Sequence, residues 1–128
     1  IIINLLGNAL KFTPAGGEVI VTISFKQTST NRIDLELNVK DSGIGIPKEQ
    51  LSSIFEAFVQ KEGQNNRKFG GTGLGLSISN KLALLMNGNL SVTSQEGVGS
   101  SFTLTLYDIE IDNNAVYNET VPNQDIKI

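Results

Sequence analysis

The 128-residue sequence contains no histidine, no cysteine and no tryptophan, and only three prolines and one methionine. Without cysteine there is no disulfide, no thiolate metal site and no thiol nucleophile, and a reducing compartment fits. Without histidine, imidazole acid–base catalysis and imidazole metal ligation are excluded within this sequence. No apolar run approaches the roughly 20 residues needed to span a bilayer. There is no leader pattern of basic, apolar and small-residue segments either. The net charge of −3 divides unevenly: residues 1–107 carry nine basic and eight acidic side chains, residues 108–128 one lysine and five acids. Neither part offers the basic surface that nucleic acid requires. The expectation is no nucleic-acid partner and no membrane contact.

What is present suits one globular domain. Apolar residues make up 39%, with six phenylalanines and two tyrosines, enough for a single core at this length. Glycine is abundant, 13 residues crowded into three short stretches, which points to loops where backbone approaches something closely.

Residues 1–12 read as a helix with Ile1, Leu5, Leu6, Ala9 and Leu10 on one face. No capping residue precedes it, so the expectation is a fragment that opens inside an element. Thr13-Pro14 ends the helix, and Ala15-Gly16-Gly17 forms a turn. Residues 18–26, "EVIVTISFK", and 32–40, "RIDLELNVK", alternate apolar with polar and predict two strands joined by a polar hairpin loop. A short helix is predicted over 48–58 and a second over 73–87, with Ile78, Leu82, Leu85 and Met86 as its apolar positions and Gly88 at its C-terminal end. Strands over 89–94 and 100–107 close the domain. The clean alternation predicts an α+β two-layer sandwich whose mostly antiparallel sheet is covered on one face by helices. The domain is expected to occupy 1–107. Residues 108–128 show no sustained period and are expected to form an acidic linker or tail.

Four stretches carry chemistry. In "DSGIGIP", residues 41–47, a carboxylate follows a buried-type strand, with Gly43 and Gly45 bare beside it. Such a group can accept a hydrogen bond from a flat amine such as adenine N6, although Asp, Ser and Gly are also ordinary turn residues. In "GGTGLGLS", residues 70–77, four glycines run into a helix, which makes an exposed N-terminus able to take an anion. It is neither a P-loop, lacking Gly-Lys-Ser/Thr, nor a dinucleotide fingerprint within a βαβ unit. In "NLLGNALK", Asn4, Asn8 and Lys11 share a helix face. An asparagine oxygen suits Mg²⁺ and a lysine suits phosphate, while a wet helix face is the plainer reading. In "IFEAFVQ", residues 54–60, Phe55 and Phe58 fit a core helix, or a hinge for the polar loop at 59–72.

In chain order these stretches resemble the catalytic, ATP-binding domain of two-component sensor histidine kinases, in the GHKL group that also includes gyrase, Hsp90 and MutL. "NLLGNALKFT" resembles the N box, "DSGIGIP" the first glycine box, "IFEAFVQ" the F box and "GGTGLGLS" the second glycine box. "EGVGSSFTLTL", residues 96–106, resembles the closing strand. The resemblance covers about residues 1–107 and implies a Bergerat ATP-binding fold, here without its first strand and the beginning of its first helix. It also implies that Asn8 binds Mg²⁺, that Lys11 and Asn8 are catalytic, and that Phe12 lies near the nucleotide. Asp41 would accept from adenine with Gly43 and Gly45 beside the ring. Gly71, Thr72, Gly73 and Gly75 would line the triphosphate, supported by Leu74 and Leu76. Residues 59–72 would form an ATP lid carrying Lys61, Arg67 and Lys68.

The implied cofactors are ATP and Mg²⁺. The implied partners are a phosphoacceptor helical hairpin of the same parent protein and, indirectly, a response regulator. A cytoplasmic setting is implied, with a membrane-anchored parent and a hybrid kinase both left open. Competing readings are a gyrase- or Hsp90-type ATPase, an anti-sigma-type serine kinase and a non-catalytic nucleotide-binding module. Against the ATPase stands Asn4, where those relatives place a water-activating glutamate.

Overall fold

In a computed structural model of the chain, residues 1–56, 75–112 and 124–128 are described. The elements are α1 (Ile2–Phe12), β1 (Val19–Ser29), β2 (Arg32–Asp41), α2 (Lys48–Leu51), α3 (Gly75–Leu85), β3 (Gly88–Gln95), β4 (Gly99–Glu110) and β5 (Gln124–Lys127). The strands form one sheet in the order β3-β4-β2-β1-β5, and every neighbouring pair is antiparallel. Helices pack on one face, as the alternation predicts.

The reason lies in the strand period. Val19 and Val21 of β1, Leu37 and Val39 of β2, Leu90 of β3, and Phe102, Leu104 and Leu106 of β4 all turn inward and are buried. Their intervening neighbours form the opposite, polar face. There Asn38 donates to Ser101 Oγ and Thr103 Oγ1, both at 2.8 Å, so side chains on adjacent strands satisfy one another. The helix layer closes the core with Leu5 and Ala9 of α1 and Ala83 of α3. Each large apolar side chain buried this way stabilises the fold by roughly 1.5–3 kcal/mol.

α1 ends where its sequence says it should. Thr13 leaves helical geometry, and its hydroxyl donates to the Ala9 carbonyl at 2.6 Å, capping an otherwise open acceptor. Leu10, expected on the buried face, is exposed. The short helix expected over 48–58 is helical only at Lys48–Leu51 and continues as turns through Phe55. Its last two residues lie outside the described ones.

α3 departs further from expectation. Ile78, Leu82, Leu85 and Met86 are all exposed, Leu85 at 82%. The buried side chains are Ser77, Ser79 and Ala83, with Leu76 half-buried against the core. α3 approaches the sheet and α1 through small residues, and leucines on that side would hold it away. The left-handed residue after α3 is Asn87 (φ +58°) rather than Gly88, which instead opens β3.

The segment expected as a linker or tail is partly sheet. β4 runs on to Glu110, and β5 pairs with β1 from Ile20↔Lys127 to Ile23↔Gln124. A four-residue strand is too short to show a period, so pattern reading passes over it. β5 covers part of an edge of β1 that would otherwise present unpaired backbone.

Candidate functional site

Three of the singled-out stretches meet around α1. At its C-terminal end the Phe12 carbonyl accepts the Ile44 N–H at 3.2 Å, which draws in the Asp41 loop. At the other end Asn4 Nδ2 donates to the Gly75 carbonyl at 3.4 Å and to Ser79 Oγ at 3.1 Å, which draws in the start of α3. Asn8 and Lys11 lie on α1 between these two attachments.

Asp41 ends β2 on the helix-covered face and is 7% exposed. Its Oδ1 accepts the Gly43 N–H at 2.9 Å and the Ser100 N–H at 3.3 Å. Burial raises its pKa above the ordinary 3.8, and these two backbone donors pull part of the way back. Oδ2 makes no hydrogen bond among the described residues, yet no buried polar side-chain atom is left without a partner. Among the described residues Oδ2 is thus the carboxylate oxygen left to accept from an incoming donor.

The loop after Asp41 is held by backbone on both sides. A Cβ on Gly43 would run into the Phe12 carbonyl. Gly45 has φ +71°, and a Cβ there would run into the Gln95 carbonyl and the Glu96 backbone. The Gly97 N–H donates to the Ile44 carbonyl at 2.7 Å, and the Ile46 N–H donates to Ser94 Oγ at 2.8 Å. What the missing side chains make room for, in this structure, is protein backbone. An open depression of about 490 Å³ also touches Asp41, but Ile20, Lys40, Thr93 and Ser101 line it. It thus opens towards the polar face, away from the helices.

On α1, Asn8 is half-buried, and its amide makes no hydrogen bond among the described residues. Lys11 is exposed, with Nζ 6.0 Å from the Phe12 ring centroid, at the outer limit of a cation–π contact. No group of three or more His, Cys, Asp or Glu side chains gathers into a metal-binding arrangement among the described residues. A single free amide oxygen fits Mg²⁺ nonetheless, because that ion takes few protein ligands and completes its shell with phosphate and water.

Gly75 and Leu76 open α3; a Cβ on Gly75 would meet nothing closer than 3.7 Å. Gly71, Thr72, Gly73 and Leu74 lie outside the described residues, as do Lys61, Arg67, Lys68 and Phe58. Phe55 is half-buried and meets Phe102 edge-to-face, ring centroids 6.4 Å apart, which is the core reading of that stretch. Among the described residues no helix is long and apolar enough to cross a membrane.

Sequence reading missed two contributors. Ser100 supplies a backbone donor to Asp41, and Ser79 supplies the hydroxyl that holds Asn4. Ser100 lies in the stretch that resembles the closing strand and Ser79 just beyond the second glycine stretch, but each acts on a residue tens of positions away, which no local pattern marks.

Residues 1–109 match the family described as histidine kinase-, DNA gyrase B- and HSP90-like ATPases. The chain is 42% identical over 106 residues to Histidine protein kinase 1 of Candida albicans, covering 83% of this chain and 4% of that one. It is 46% identical over 107 residues to Hybrid signal transduction histidine kinase L of Dictyostelium discoideum, covering 83% and 6%. It is 42% identical over 102 residues to the signal transduction histidine-protein kinase BarA of Escherichia coli, covering 80% and 11%. Among solved structures it is similar to the mycobacterial sensor histidine kinase MprB (TM-score 0.64, 28% identity, 86% of this chain and 71% of that one). It is also similar to full-length ShkA in complex with AMPPNP (TM-score 0.62, 33% identity, 85% and 21%). The chain thus spans a small fraction of the curated relatives' length, and what it shares with them is one domain. Family match, identity and fold agree: the chain belongs to the histidine kinase-, DNA gyrase B- and HSP90-like ATPase family, as the ATP-binding catalytic domain of a sensor histidine kinase.

Proposed function

We propose that this domain binds Mg²⁺–ATP and donates the γ-phosphate to a histidine on a separate helical phosphoacceptor domain of its parent protein, in two-component signal transduction. The observation that carries the reading is α1, which holds the Asp41 loop at one end and the start of α3 at the other. That arrangement supports the reading, because the groups it assigns to adenine, to metal and phosphate, and to the helix N-terminus all adjoin one element.

In this reading Asp41 Oδ2 accepts from the adenine amine, while Oδ1 stays with Gly43 and Ser100. Gly43 and Gly45 lie beside the ring. Asn8 offers an oxygen to Mg²⁺, and Lys11 offers positive charge to the phosphates, near Phe12. Gly71, Thr72, Gly73 and Gly75 present backbone N–H groups at the helix N-terminus, with Leu74 and Leu76 as supports. Lys61, Arg67 and Lys68 of a lid at 59–72 reach the γ-phosphate. Mg²⁺ held by Asn8 would supply charge neutralisation for the phosphates. Phosphoryl transfer needs little more from a protein than positioning and charge neutralisation.

The sequence has no histidine, so the acceptor belongs to another segment or chain. Asn4 supports transfer over hydrolysis. An amide cannot activate water as a carboxylate can, and this amide is already engaged with α3. A cytoplasmic setting, a response regulator as the eventual acceptor and a hybrid parent belong to the same reading.

Calorimetric titration with Mg²⁺–ATP tests it. Binding by the wild type and its loss in Asp41→Ala is the expected result; a folded wild type that binds no ATP would sink the reading. Transfer to a supplied histidine hairpin, set against transfer to a serine protein, then separates histidine kinase from serine kinase.

A further inference from the structure

Asn4 has a job that neither the metal nor the phosphate face needs. Its side-chain amide reaches two acceptors on α3, the Gly75 carbonyl in the first turn and Ser79 Oγ one turn later. Ser79 is completely buried. A buried hydroxyl needs a partner, and a carboxamide nitrogen carries two N–H donors that can serve two acceptors together. A carboxylate could not replace it. It could accept from the Ser79 hydroxyl, but it would set an oxygen against the Gly75 carbonyl, which only accepts.

The contact joins residues 75 positions apart in sequence. It stands one helical turn before Asn8 on the same face of α1. On the α3 side it grips the turn that follows the glycine-rich stretch. On α3 the buried side chains are small, Ser77, Ser79 and Ala83, and they face Leu5 and Ala9 of α1, so α3 itself brings little apolar bulk to set the spacing of the two helices.

We propose that Asn4 is a positioning residue. Its fork to Gly75 and Ser79 sets the N-terminal turn of α3 at a defined distance from Asn8 and Lys11, so that the phosphate-binding groups of the two helices converge. Asn4 itself touches no nucleotide. The proposal rests on the ATP-site reading and assigns the phosphate half of that site a dedicated clamp. The adenine half, on the Asp41 loop, does not depend on it.

The test uses the 128-residue chain as wild type, Asn4→Ala, Ser79→Ala and the double variant. Each is titrated with Mg²⁺–ATP and with adenosine, by displacement of a fluorescent nucleotide, at a temperature where circular dichroism shows it folded. Each single variant should weaken ATP about fivefold, the scale of one hydrogen bond, and leave adenosine within about twofold. The double variant should be no weaker than Asn4→Ala, because Ser79 acts only through Asn4. Asn4→Asp should behave like Asn4→Ala. Three results overturn the proposal: unchanged ATP affinity in Asn4→Ala, equal loss of ATP and adenosine, or additive losses in the double variant. Equal loss would mark general loosening, and additive loss would mark direct contact between Asn4 and the nucleotide. A folded wild type that binds no ATP would instead overturn the reading beneath. If Asn4→Ala does not fold, Ser79→Ala removes the Ser79 arm of the fork with one hydroxyl and decides alone.

Discussion

Around Asp41 the candidate site is built from backbone. Gly43 and Ser100 hold the carboxylate through their N–H groups, and the Phe12 and Gln95 carbonyls and the Gly97 N–H hem in the loop. Along α1 the polar groups are side chains: Asn4 is tied to α3, while Asn8 makes no hydrogen bond among the described residues and Lys11 is exposed. On the proposed ATP reading the difference has a chemical reason. A flat base is recognised by one acceptor in a rigid slot, so rigidity favours the Asp41 side. A triphosphate with its metal has many rotamers, and groups that adjust to it are better left mobile until it arrives.

The largest losses are expected on the backbone side. Gly45→Val forces a branched side chain into a left-handed conformation against Gln95 and Glu96. It should cost about 3 kcal/mol and lower the melting temperature by on the order of 10 °C, read by differential scanning calorimetry. Next, Ala83→Leu overfills the small-residue face of α3, where Ala83 is fully buried. About 2 kcal/mol should be lost, measured as a shift in urea midpoint at constant slope.

The helix side should respond in binding rather than stability. Asn8→Ala should leave the unfolding free energy within about 0.5 kcal/mol while weakening Mg²⁺–ATP about tenfold. Its effect on ATP measured without the metal should be much smaller. Equal effects with and without Mg²⁺ would remove Asn8 from the metal.

Asp41 sharpens the contrast through pH. Its folded pKa is raised above 3.8, chiefly by burial. Its contribution to stability is therefore most favourable below the unfolded value and declines as pH rises through the raised one. Asp41→Asn keeps an oxygen for Gly43 and Ser100 without the buried charge. In urea the variant should gain on the wild type at pH 7 and lose that gain below pH 3.8, while its ATP affinity falls. The smallest effect belongs to Leu85→Lys. Leu85 is 82% exposed, so unfolding should change by less than about 0.5 kcal/mol. A large loss there would restore the leucine face of α3 to the core.

Much of this was readable in advance because it is local. In β2, Leu37, Val39 and Asp41 alternate with Asn38 and Lys40, and each went to the face the alternation assigns. In α1, Leu5 and Ala9 were buried and Thr13 closed the helix as expected. Where reading failed, the deciding contact was distant. Leu82 and Leu85 of α3 follow a helical period and still face outward, because the side of α3 that meets α1 and the sheet is taken by Ser77, Ser79 and Ala83. β5 escaped notice because what makes it a strand is an open edge on β1, about a hundred residues earlier.

The sequence by itself determined the alternation that makes an antiparallel sheet, the order of motifs that places the chain in its family, and the candidate groups Asn8, Lys11 and Asp41. These depend on neighbours a few residues away and on which side chains water will accept. Only the tertiary structure decided which face of α3 is buried, which backbone fills the space beside Gly43 and Gly45, and what Asn4 holds. Those are contacts between segments tens of residues apart, and no local pattern encodes how closely two helices will approach once the chain has closed.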